Sequence, residues 1–231
     1  MTMDMIIVSL AGGILSLDRV VLQAMLSRPI VAAPVAGIVL GDIYTGLQAG
    51  ALLELFWIDR LPVGTCLPPN DFLAAFLVAA SSILAGQHLG QASRELLVFS
   101  ILLIIPCGYL GQLADNLIIK SNDALYNGAL RAAERADAGA IFRKHLSGVV
   151  KQFLVYGGMI FVLLFCAVPL LVYFFPRLPA FCLRALSITY FSLPLLGLAA
   201  GLHTISQKRM IPLFCALFLT VSLIMEIADW L

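Results

Sequence analysis

Residues 27–57 read SRPIVAAPVAGIVLGDIYTGLQAGALLELFW. The run exceeds the roughly 20 residues that carry an apolar helix across a bilayer. Gly41 and Asp42 divide it into two pieces, each too short to cross alone. Broken backbone at membrane depth is tolerated only where protein or a polar cavity covers it. The stretch therefore predicts a re-entrant or discontinuous helix pair. Its continuation, LLELFWIDRLPVGTCLPPND (52–71), collects Glu54, Asp59, Arg60, Asn70 and Asp71 beside Pro62, Pro68 and Pro69. Two adjacent prolines stop a helix and lock extended chain, and Asn70 or Asp71 can then cap a helix that opens at Phe72.

The rest of the chain sets this break in a membrane protein. Of 231 residues, 61% are hydrophobic and 12% charged, about half the charge of an ordinary soluble domain. The formal net charge of +1 offers nothing to a nucleic acid. Asp4 stands where a cleaved signal would carry basic residues, so the N-terminus reads as a retained first segment. Cys66, Cys107, Cys166, Cys182 and Cys215 are scattered without a CxxC pair and read as packed thiols. No metal site or cofactor is expected.

The expected fold is all-α: a polytopic membrane protein with discontinuous helices and one polar, cytoplasmic helical segment. It forms a single domain over 1–231. Residues 1–90 hold the broken helices, with Met5 to Leu17 too short for a full crossing. Phe72 to Gly90 and Leu96 to Leu113 are apolar runs, the second kinked at Pro106. Residues 115–151 form a polar interfacial region, within which Arg131 and Glu134 are helical neighbours. Residues 152–228 hold the C-terminal spans: Phe153–Phe175, Leu183–Leu202 and Met210–Ile227. Lys120, Arg131, Arg135, Arg143, Lys144 and Lys151, with Lys208 and Arg209 two spans later, fall on one side, which positive charge marks as cytoplasmic. Arg177 and Arg184 oppose this.

An acid within an apolar helix costs about 2.5–3.5 kcal/mol on insertion scales, so it pairs, faces a cavity or binds something. Glu54 either pairs with Arg60 or Arg28, stays protonated, or contacts a ligand. Asp42 is placed to cap the helix after it. Asn70 and Asp71 either cap a helix or offer amide and carboxylate groups to the adjacent hydroxyls of a polar solute. Trp57 is either core or an apolar face for a sugar ring. His88, His145 and His203 do not cluster. Walker, GxSxG and dinucleotide motifs are absent, so an enzyme acting alone is poorly supported.

The order Arg28-Pro29, Gly41-Asp42, Gly46, Gly50, Leu53-Glu54, Pro62 to Gly64 and Pro68-Pro69 resembles the IIC membrane subunit of the mannose–fructose–sorbose branch of the bacterial phosphoenolpyruvate-dependent sugar phosphotransferase system. The specific part covers the first third of the chain. The resemblance implies a multi-pass permease of the bacterial inner membrane, paired with a membrane subunit IID. The two would pass sugar inward to a cytoplasmic IIB, itself phosphorylated by IIA. It implies that this chain carries no phosphohistidine, and that the complex is a homo-oligomer of such units. Glu54 and Asn70 are then the first substrate contacts expected, with Asp71 and Trp57 second. Arg28, Asp42, Asp59 and Arg60 would hold the hairpin. Where many members carry Gly-Trp-hydrophobic-Asn after the Glu, this chain has IDRLPVG, so the resemblance leaves the sugar open. The alternatives are an ion-coupled transporter working alone, with Glu54 or Asp42 as its ion site, and a non-transporting membrane sensor or partner.

Overall fold

The computed structural model describes residues 2–58, 67–90, 92–204 and 212. The expected roles of Asp59 and Arg60, the Pro62 to Gly64 turn, the Lys208-Arg209 pair and the Met210–Ile227 span lie outside the described residues. Among the described residues eight α-helices run in chain order: α1 Thr2–Ser16, α2 Pro29–Leu40, α3 Ile43–Phe56, α4 Asp71–Leu89, α5 Arg94–Ile104, α6 Cys107–Glu134, α7 Ala138–Phe174 and α8 Ala180–Thr204. No strand occurs among the described residues.

The break at Gly41-Asp42 has a full local cause. Gly41 sits at φ +81°, a left-handed conformation that costs glycine little. The Asp42 N–H donates to the Gly37 carbonyl at 2.8 Å and the Gly41 N–H to that of Ile38 at 3.3 Å, the paired bonds of a Schellman ending. Asp42 then opens α3: its carboxylate accepts from the Thr45 N–H at 3.0 Å and the Thr45 hydroxyl at 2.6 Å. The two helices have 12 and 14 residues, about 18 and 21 Å at 1.5 Å per residue. Each falls short of a hydrocarbon core about 30 Å thick.

The pair closes into a hairpin because glycines let the backbones meet. A Cβ on Gly46 would lie 2.7 Å from the Ala33 carbonyl oxygen, and one on Gly50 2.6 Å from that of Pro29. The Gln87 amide donates to the Leu40 carbonyl at 2.8 Å, tying the hairpin tip to the far end of α4.

α4 is the central helix. Its apolar stretch is 83% buried inside the protein, against 28% for the apolar part of α7 and 11% for that of α8. α4 is thus enclosed by neighbours, while α7 and α8 turn much of their surface outward, as lipid contact allows. α1 crosses α7 and α4 at Gly12, where an added Cβ would strike Ile160 and Phe76. α8 rests on α3, with Gly197 against Leu55. Among the described residues three helices are long and apolar enough to cross a membrane, or four if α5 and α6, bent by 42° at their junction, act as one. That bend falls at Pro106, the expected kink.

The polar region departs from the expected interfacial segment in one respect. It is the ends of two long helices joined by a tight turn at Arg135–Asp137, where Ala136 takes φ +52°. α7 continues without interruption for 37 residues from this turn into its apolar half. Within it Arg131 donates from Nε to the Asn127 carbonyl at 3.2 Å.

Candidate functional site

Two polar constructions stand inside the apolar body. The first is the open end of the α2–α3 hairpin. Glu54, in the last turn of α3, reaches the first turn of α2. Its carboxylate accepts from the Ile30 N–H at 3.2 Å and lies 3.6 Å from the Arg28 guanidinium. The N–H groups of a first helical turn lack intrahelical partners and favour an anion. A single carboxylate thus joins two half-helices. Its side chain keeps 28% exposure, so it is supported without being sealed.

The second is a buried node centred on Asn70. Its Oδ1 accepts from the Leu73 N–H at 2.9 Å, which caps α4. Its Nδ2 donates to Asp115 Oδ2 at 3.0 Å and to the Tyr156 hydroxyl at 2.6 Å. The Tyr156 hydroxyl in turn donates to Asp115 Oδ1, and Arg19 lies 3.4 Å from Asp115 Oδ2. The segment before α4 is held to α6 as well, through the Asn70 N–H to the Gly108 carbonyl at 2.8 Å and Gln112 to the Leu67 carbonyl. Gly111 makes this fit possible, since a Cβ there would lie 2.5 Å from that of Asn70.

The node engages Asn70, one of the residues expected to contact sugar, with protein partners in this structure. The residue is fully buried, and both amide hydrogens are committed to protein acceptors. Trp57 is likewise 6% exposed and packed edge-on against Phe56, so it presents no open ring face. Asp71 is half-buried; its Oδ1 accepts from the Phe72 N–H at 2.9 Å. Glu54 is therefore the carboxylate of the expected four contacts that combines support with access.

The pattern singled out neither Asp18, Arg19, Asp115, Tyr156 nor Gln152. The one signal for Asp115 was an acid inside GQLADNLIIK, of the kind that drew attention to Glu54. Asp18 organises the loop between α1 and α2. It accepts from the Ala24 and Ser27 N–H groups at 2.8 and 2.9 Å and from the Ser27 hydroxyl at 3.0 Å. These bonds hold a turn in which Gln23 and Met25 take φ +52° and +61°, at about 1–3 kcal/mol each. Burial pushes the Asp18 carboxyl up; the bonds from Ser27, Ala24 and Leu26 outweigh it and leave the group below its ordinary value. The loop delivers the neighbouring Arg19 to Asp115.

Alongside the node, between α6 and α7, lies a cavity of about 560 Å³ reached by Arg19 and Asp115 and lined further along by Asn122, Lys144, His145 and Gln152. Of the other histidines, His88 is exposed in the last turn of α4, and the His203 side chain lies outside what is described.

Discontinuous helices packed round a buried central helix, with charged groups at the breaks, define a multi-pass membrane protein of transporter type. The family described as "PTS system sorbose-specific IIC component" matches residues 2–228, and the chain belongs to it. It is 26% identical over 219 residues to the sorbose-specific EIIC component of Klebsiella pneumoniae, covering 94% of this chain and 79% of the relative. To the mannose-specific EIIC component of Escherichia coli K12 it is 26% identical over 151 residues, covering 65% of this chain and 54% of the relative. In fold it is similar to a chain of the mannose transporter ManYZ solved with microcin E492, with TM-score 0.62 and 21% identity over 96% of this chain and 87% of that one.

Proposed function

We propose that this chain is the sugar-translocating IIC subunit of a phosphoenolpyruvate-dependent phosphotransferase system in the cytoplasmic membrane of a bacterium. It works with a IID membrane subunit, and IIA and IIB carry the phosphoryl group that IIB gives to the sugar. The observation that carries the reading is Glu54 at the junction of two half-helices. A carboxylate braced by Arg28 and the α2 N-terminus keeps lone pairs for the adjacent hydroxyls of a sugar. Asp71, half-buried at the start of α4, is the second contact. Asn70 acts as a positioning residue, because its amide fixes the start of α4 against α6 and α7. Trp57 supports the hairpin from within the core.

The chain's task is to bind, orient and pass the sugar. Membranes carrying all four components should take up and phosphorylate sugar, and membranes lacking this chain should not. Glu54→Gln should lower that rate at least about tenfold at unchanged abundance, the effect of one charge-assisted hydrogen bond. A variant as active as the parent would remove Glu54 from the site, and solute accumulated unphosphorylated would replace the reading with ion-coupled transport.

A further inference from the structure

The loop between α1 and α2 is built inside out for water. Residues 20–27 read VVLQAMLS, without a charged side chain. Val20, Val21, Leu22, Met25 and Leu26 all stand exposed, Met25 the most at 69%. The polar groups turn inward instead. The Val20 and Val21 N–H groups donate to the Leu17 carbonyl at 3.1 and 2.8 Å, the Gln23 N–H to that of Asp18 at 2.6 Å and the Arg28 N–H to that of Met25 at 3.2 Å. The Ala24 and Ser27 N–H groups and the Ser27 hydroxyl are taken by the buried Asp18 carboxylate. Water would satisfy such backbone groups without help, whereas a segment turned toward lipid must satisfy them internally. Exposed apolar side chains in one continuous stretch mark a contact surface.

The level of this knob is set by α7. Lys151 is the last charged residue before the apolar half of α7, and residues 152–174 carry none. A Cβ on Gly13 would lie 3.0 Å from the Phe153 ring, and one on Gly157 3.5 Å from the Ser9 carbonyl oxygen, so α1 runs antiparallel to α7. Beyond its end, Val20 shares a cavity wall with Gly148, Val149 and Gln152. The knob therefore emerges where α7 changes from charged to apolar, which is where the bilayer ends. α1 has 15 residues, about 22 Å, short of the roughly 30 Å hydrocarbon core. Its exposed Met3, Ile7, Leu10 and Ile14 recur at helical spacing and give it one outward apolar face. The knob follows directly on this short helix and adds an apolar end to it.

We propose that residues 20–27 form a membrane-surface anchor, seated in the headgroup–acyl boundary of the bilayer and held in shape by Asp18. The partner is the lipid surface. The level of the knob and its lack of charge fit that boundary, and its internal hydrogen bonds let the loop leave water. The proposal stands independently of the permease reading. A second copy of this chain or another membrane subunit is the competing cover.

The test uses the full chain in phosphatidylcholine–phosphatidylglycerol liposomes, alone and coproduced with a IID subunit, in a cysteine-free background. A nitroxide is attached at Leu22→Cys, at Met25→Cys and, as the aqueous reference, at Ser147→Cys. Its collisions with oxygen and with a water-soluble nickel chelate are measured by power saturation. The labels at 22 and 25 should favour oxygen and report a depth of about 5–10 Å, the burial of interfacial apolar segments. The label at 147 should favour the chelate. Chelate access at 22 and 25 equal to that at 147 would put the loop in water and overturn the proposal. Exclusion of both reagents from 22 and 25 would overturn it too, giving the knob to a second copy if seen with the chain alone and to the other subunit if seen only with IID.

Discussion

Asn70 shows how far one side chain's meaning depends on partners remote in sequence. Read along the chain it is a cap after two prolines, and it does cap α4. Its other bonds reach Asp115 and Tyr156, 45 and 86 residues away, and no local pattern encodes such pairings. Tyr156→Phe should leave an Asn70 hydrogen and Asp115 Oδ1 without the hydroxyl, costing about 1–3 kcal/mol. A detergent thermostability assay should show it as a clear fall in melting temperature. The Asp18 turn carries a pH signature. The folded group ionises below its ordinary value of 3.8, so its contribution is complete above that value and is lost as pH falls through the folded pKa. Acid unfolding should therefore begin at higher pH in Asp18→Asn than in the parent, with lower stability at neutral pH, checked by intrinsic fluorescence across pH 3–7.

At the scale of the element, the break between α2 and α3 was the most legible part of the molecule. A glycine followed by an acid in a run of excessive length predicts a break, and Gly41-Asp42 supplies both an ending and a cap. The bend at Pro106 was legible for the same reason: the ring removes a donor and blocks the preceding turn. The pairing of α2 with α3 was not, because composition shows glycines without showing which backbone each admits. A graded substitution series separates these roles. Gly50→Ala places a methyl 2.6 Å from the Pro29 carbonyl oxygen, whereas a Cβ on Gly158 meets nothing within 4 Å. Gly50→Ala should cost about 1–3 kcal/mol, and Gly158→Ala should fall within about 0.5 kcal/mol of the parent. Equal melting temperatures would mean the hairpin is looser than its packing indicates.

At the scale of the molecule, hydropathy identifies which helices are apolar and burial separates their roles. α4 and α8 both pass as spans, yet α4 is enclosed and α8 faces outward. Amino-acid pattern cannot make that distinction, since lipid and protein interior select the same side chains. The basic ends of α6 and α7 predict a sidedness that labelling can check. Ser147 is exposed near the start of α7. A cysteine placed there in a cysteine-free background should react with an impermeant maleimide in inverted vesicles and stay protected in right-side-out ones. The reverse result would invert the orientation. The unbroken α7 also has a mechanical consequence. Its 37 residues make a rod about 55 Å long, nearly twice the hydrocarbon thickness, with Tyr156 roughly at its middle. Any tilt of the polar end of α7 would move the same helix that carries Tyr156, and with it the hydroxyl that holds Asn70.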